Sequence, residues 1–307
     1  VLGTTPTAVT PHPVTGADTA LGPQPPVETK MHELPEIELL RRELEREVGE
    51  RKVRSVEVPA PGLLQGVTKK ALVSDLEGRK GTGAVRRGML VGLDFDGTHE
   101  LLLSLGERGQ LSRNKEKDAT EKGTALIITY TQGGQLRLVD PSKGTTVEWL
   151  PIPDVAAAHP ELAELGFDAV DEPISWTTFG EALLRRNGKL KGILMDPTFL
   201  VGIGPMYSDE VLFHAGLRYD RTPQSLATSE IRRLYRAVVE TMHDAVKYGG
   251  TTLDPDGWVS LNGHPGGYQE HLAVYRRAGE MSPRARGPIV KARFGNLTTY
   301  FCEQTQV

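Results

Sequence analysis

Cysteine is almost absent from the chain, with Cys302 the only thiol among 307 residues. A single cysteine excludes an intramolecular disulfide and a multi-cysteine metal site, and it makes a reducing cytoplasm the expected compartment. A zinc site would have to be built on histidine alone, yet the eight histidines include no pair at helical metal-binding spacing. Long apolar runs are also missing: no stretch of about 20 apolar residues occurs, so no helical membrane span and no membrane partner are expected. Neither sign of charge is in excess, because 36 Lys and Arg stand against 40 Asp and Glu for a net charge of -4. Composition therefore does not announce a nucleic-acid binder, and such a role would rest on local charge. What is present, 38% hydrophobic and 25% charged residues, fits a globular chain. At ~150 residues per domain its length allows about two domains.

Residues 1–30 hold six prolines, no aromatic residue and one basic residue, Lys30. This composition predicts a flexible extension, and it lacks the basic start and apolar stretch of a signal peptide. Residue 1 is Val, which leaves Met31 as a candidate start. From residue 34 onward Ile37, Leu40, Leu44 and Val48 share one helical face, with Gly49 as a stop. Short runs rich in Val, Leu, Ile and Thr follow at 53–58, 89–95, 101–105, 126–131 and 136–139, which predicts a β-sandwich or barrel. The Pro-bearing stretch 151–172 reads as a linker. Helical periodicity returns at 179–186, 208–215 and 229–248, the last ended by Gly249 and Gly250. Residues 270–307 carry six basic and three acidic residues, the one locally basic segment after the linker, and 296–301 alternate like a strand. Gly202 and Gly204 do not extend into a nucleotide-binding fingerprint, and no nucleophile elbow is visible.

Four segments in fixed order carry a resemblance: MHELPEIELLRREL at 31–44, LMDPTFLVGIGPMYSDEVLFHAGL at 194–217, GGTTL at 249–253, and LAVYRRAGEMSPRARGPI with TTYFC near the end. Together they resemble the formamidopyrimidine-DNA glycosylase and endonuclease VIII family over residues 31–307. The resemblance implies an α+β fold: an N-terminal helix plus β-sandwich domain at 31–150, a linker at 151–172, a helix-two-turn-helix domain at 173–268, and a C-terminal zincless-finger-like hairpin at 269–307. Members of this family flip a damaged base from the stack and attack the sugar with the amine of an N-terminal proline. Here that position is His32, whose imidazole is a candidate base or nucleophile, while Glu33 matches the catalytic glutamate. A lone histidine beside a helix start is more often structural, and an acidic residue there also favours the helix dipole.

Other implied positions depart from the family. The lysine that follows a basic pair on a sandwich strand is Met89, which carries no charge. The base-replacing turn reads SLGERG, with Ser104 and Glu107, and the second loop reads DPSKG, where Lys143 keeps a basic group. Pro205 replaces a phosphate-contacting asparagine, whereas Lys191 matches the phosphate-binding lysine. The four zinc-ligand positions are Ser282, Ala285, Cys302 and Thr305, and the finger's arginine is Leu297, so no metal and no cofactor are expected. Arg284 and Arg286 are the tail's candidate phosphate contacts. These departures predict a monomeric, catalytically inactive protein retained for binding DNA, with a protein partner left open. Two alternatives stay open: an active glycosylase or abasic-site lyase with an altered nucleophile, and a protein-interaction module without DNA affinity.

Overall fold

The structure, a computed structural model, describes residues 32–171, 174–254 and 257–307. The extension expected over 1–30, the candidate start Met31 and the side chain of Val48 lie outside the described residues. Helix α1 (Leu34–Val48) begins with Pro35 in its first turn, where the missing N–H costs nothing. Its apolar face is divided between two cores. Leu34 packs into the helical domain, and Ile37, Leu40 and Leu44 pack into the sandwich.

The sandwich is built from strands β1 (Val53–Glu57), β2 (Leu64–Gln65), β3 (Gly81–Arg87), β4 (Leu90–Phe95), β5 (His99–Ser104), β6 (Gln110–Asn114), β7 (Thr124–Tyr130), β8 (Gln135–Val139) and β9 (Thr146–Pro151), with the short helix α2 (Lys69–Leu76) between β2 and β3. One sheet has the order β1-β7-β8-β6 and the other β2-β9-β5-β4-β3. Leu101 and Leu103 of β5 meet Leu126 and Ile128 of β7 in the shared core, as period-two alternation requires. Strands β3, β6 and β9 were not visible as apolar runs. Their sequences GTGAVRR, QLSRN and TVEWLP carry too many polar or small residues, and they owe their places to antiparallel pairing with β4, β8 and β5.

The expected linker is largely built into the protein. It contains helix α3 (Val155–Ala158), and residues 165–171 dock on both domains. Leu165 and Phe167 pack against the helical core, while Asp168 and Asp171 bind Arg86 of β3 at 2.6 and 2.5 Å. The helical domain follows as α4 (Trp176–Leu184), α5 (Leu190–Leu194), α6 (Pro205–Ala215) and α7 (Thr228–Lys247). Every residue of α6 from Met206 to Phe213 is buried, which makes it the central helix of that core. Beyond α7 the chain returns to the sandwich, where Leu261 is buried and its carbonyl accepts the Arg113 N–H at 2.7 Å. The hairpin β10 (Val290–Phe294) and β11 (Leu297–Phe301) closes the fold, packed on α6.

Gly202 sits where the domains meet, with φ +63°. A Cβ there would lie 2.3 Å from Met89 Sδ and 3.2 Å from the Leu34 backbone. Gly202→Ala therefore combines a left-handed backbone with overpacking, and chemical denaturation is expected to show a loss of about 2 kcal/mol. A loss of a few tenths would mean that the seam is loosely packed.

Candidate functional site at the domain seam

The first turn of α1 lies against the N-terminus of α6. Glu33, immediately before α1, is 4% exposed and turns its carboxylate onto the free N–H groups that begin α6. Gly204 N–H donates to Oε2 at 2.6 Å, Met206 N–H to Oε1 at 2.9 Å and Tyr207 N–H to Oε2 at 3.2 Å. This approach depends on Gly204, since a Cβ there would lie 2.6 Å from the Glu33 carboxyl carbon. One turn on, Glu36 is also buried, and it accepts hydrogen bonds from Tyr207 Oη at 2.7 Å, Thr251 N–H at 2.9 Å and Glu33 N–H at 3.3 Å. Burial, then the neighbouring Glu36, pushes Glu33 up to about 8 against the pull of its three donors. Burial pushes Glu36 up to about 7. Such a pair titrates together and keeps a proton near neutrality.

The pair lies at the floor of a solvent-open cleft whose walls include His32, Glu107, Trp258, Tyr275 and Arg276. Burial lowers the pKa of His32, so its imidazole is neutral at physiological pH. Its Nε2 lies 2.8 Å from the Gly109 carbonyl oxygen. A carbonyl only accepts, so Nε2 carries the proton and Nδ1 is the free base. Glu107 is exposed at the tip of the β5–β6 turn. That turn abuts the β8–β9 loop, because a Cβ on Gly106 would meet the Gly144 backbone at 2.6 Å. In the second loop Asp140 accepts the N–H groups of Ser142, Lys143 and Thr145, and Lys143 stands exposed.

Comparison with known proteins bears on what such a cleft is. The profile of the formamidopyrimidine-DNA glycosylase N-terminal domain matches residues 31–147, and that of its H2TH domain matches 165–256. The formamidopyrimidine-DNA glycosylase of Pelotomaculum thermopropionicum is 30% identical over 276 residues, covering 90% of this chain and 99% of the relative. That of Geobacter metallireducens is 34% identical over 280 residues, covering 90% of this chain and all of the relative. The chain belongs to the formamidopyrimidine-DNA glycosylase family. Lactococcus lactis Fpg, solved with DNA containing an abasic site, superposes with a TM-score of 0.81 at 28% identity, covering 90% of this chain and 100% of that one. A variant of the same enzyme solved with DNA containing Fapy-dG gives the same TM-score of 0.81.

Within this glycosylase-family fold the expected site residues separate. His32, Glu33 and Glu107 line one cleft, and Lys143 stands on the adjoining loop. Lys191 does not reach it. Its side chain is 0% exposed, with Nζ 2.6 Å from Asp209 Oδ1 and 2.9 Å from the Pro205 carbonyl oxygen. The expectation of a phosphate contact is corrected here, since a buried, ion-paired ammonium cannot meet a phosphate without breaking that pair. Arg284 is exposed but rests part of its guanidinium on the protein. Its Nη1 donates at 3.0 Å to the carbonyls of Phe213 and His214 at the end of α6, and its guanidinium lies over the Phe213 ring. Arg286 remains exposed. Met89 fills space between the two cores.

The zinc-finger positions keep their proximity without a zinc donor set. Ser282 and buried Cys302 meet with Thr305 beside them, and one thiol with two hydroxyls and Ala285 does not fit zinc. Burial raises the Cys302 thiol, but the neighbouring hydroxyls and backbone N–H groups bring it below its ordinary value. The hairpin is instead tied to α6 by Asp209, which accepts from Thr299 Oγ1 at 2.5 Å and from Tyr300 N–H at 2.9 Å. Sequence reasoning passed over Glu36 and Trp258. Glu36 was discoverable, because three residues after Glu33 it falls on the same face of α1; Trp258 gave no signal, being in an irregular segment.

Both buried glutamates hold protons in the folded chain at pH values where unfolded glutamate, near 4.5, does not. Stability is therefore expected to fall, by on the order of 3 kcal/mol, as pH rises from about 5 to about 8. Glu36→Gln removes one member of the pair and should flatten the slope of denaturant midpoint against pH. An unchanged slope would locate the titration elsewhere.

Proposed function

We propose that the chain binds damaged duplex DNA in the cleft between its domains and does not form the covalent imine intermediate of its family. The observation that carries this reading is the residue at the amine position. His32 offers an imidazole in place of proline, follows Met31 through a peptide bond, and has its Nε2 tied to Gly109. An imidazole lacks the free secondary amine that a Schiff base requires. Met89 supplies no charge at the companion lysine position. Glu33, matched to the catalytic glutamate, is engaged by three backbone donors, so its carboxylate is a structural cap as well as a candidate proton carrier.

DNA binding is supported by the family and by solved relatives that hold DNA. The relatives are named as DNA glycosylases and lend no support to a protein that has left enzymology altogether. Lys143, Arg284 and Arg286 are the exposed cations of the expected set available for phosphate contact, which predicts modest affinity that weakens as salt rises. The test is borohydride trapping on duplexes carrying an abasic site or an oxidised base, with binding measured in parallel at low and moderate salt. Salt-sensitive binding without a trapped adduct is expected. A covalent adduct would restore imine chemistry, and the absence of binding at low salt would remove DNA as the ligand.

A further inference from the structure

The charge of the cleft is the feature that neither the family nor the proposed binding role explains. Its ionisable lining consists of Glu33, Glu36, Glu107 and Asp254 against Arg276 and the neutral His32. Asp254 and Arg276 already neutralise each other at 3.1 Å. Glu107 has no ion-pair partner among the described residues and stands at the rim. The buried glutamate pair below it keeps a proton near neutrality, so the uncompensated negative charge of the cleft sits at its mouth, on Glu107. Its wall is aromatic: Trp258, 8% exposed, is held so close to Gly250 that a Cβ there would lie 3.1 Å from the indole, and Tyr275 also lines the space. A cleft with a carboxylate at its mouth and aromatic walls favours a flat cation, through charge and cation–π attraction.

Resting on the DNA-binding reading above, we propose that this cleft takes an N-alkylated purine bearing a fixed positive charge, and that the protein releases it from DNA by hydrolysis with His32 as the base. The chemistry suits a site without an amine. The C1′–N bond electrons leave with the base and neutralise its ring charge, so the leaving group needs neither a proton nor a covalent catalyst. Water, the co-reactant, forms the new bond to C1′ through its oxygen, and the proton it loses passes to a base. His32 can accept that proton because its Nε2 is fixed by the Gly109 carbonyl, which leaves Nδ1 unprotonated and without a partner among the described residues. The products are a neutral alkylpurine and an abasic sugar, and the imidazolium returns its proton to solvent. A cationic base also answers the presence of Glu107, whose charge would repel a phosphate or an electron-rich oxidised base.

The test uses the full chain on matched duplexes bearing one N7-methylguanine or one 8-oxoguanine, with free base quantified by mass spectrometry and binding followed by anisotropy. Release of methylguanine at about tenfold or more above its spontaneous rate is expected, with no release of 8-oxoguanine. Glu107→Gln, on an exposed turn, should lower that release by about tenfold. His32→Gln, which keeps a donor to Gly109, should abolish release while binding persists; in the unsubstituted chain release should fall only on acidifying below the ordinary histidine range, since burial lowers the His32 pKa. Binding without release above the spontaneous rate, equal release of both bases, or release indifferent to both substitutions would overturn the inference and leave the DNA-binding reading standing. Binding to neither duplex would overturn both.

Discussion

The carboxylate of Glu33 at the N-terminus of α6 is the contact on which the rest of the structure depends. It joins the residue that begins the sandwich domain to the central helix of the helical domain, using three N–H groups that would otherwise be orphaned inside the protein. Glycines at 202 and 204 leave the room it needs. Glu36 and Tyr207 extend the same contact to Thr251, so α1, α6 and the segment after α7 are fixed relative to one another at the cleft floor. The contact that defines the cleft floor is therefore also the contact that joins the two domains.

Packing elsewhere follows the same logic. Met89 is an apolar side chain that packs against both cores where they meet at the seam. The hairpin holds together without a zinc donor set because Asp209 anchors β11 while its charge is balanced by buried Lys191. A buried pair of this kind is weak evidence for added stability, but losing one partner would strand the other. It specifies where the hairpin sits, which is what a structural metal would otherwise do.

Much of this was legible in the sequence, for identifiable reasons. Apolar periodicity found α1 and α7, and continuous Val, Leu and Ile runs found β5 and β7, because burial there is paid for by the residues themselves. Strands β3 and β6 escaped because their order comes from neighbours rather than composition. The segment 165–171 looked like linker because Asp168 and Asp171 read as solvent-facing until Arg86 is placed beside them. Of the site, His32, Glu33 and Glu107 line one cleft. Lys191 turned inward because a positive residue's partner, phosphate or carboxylate, is set by tertiary contacts that sequence spacing does not contain. The cleft's net charge is likewise a property of residues from four separate segments.

Thermal unfolding of Glu33→Ala, followed by calorimetry, tests the central dependence most directly. Three buried donors would lose their acceptor, and a loss of about 3 kcal/mol is expected, with the single transition broadening or splitting as the domains uncouple. An unchanged midpoint with one sharp transition would show that the seam is held by something other than this carboxylate.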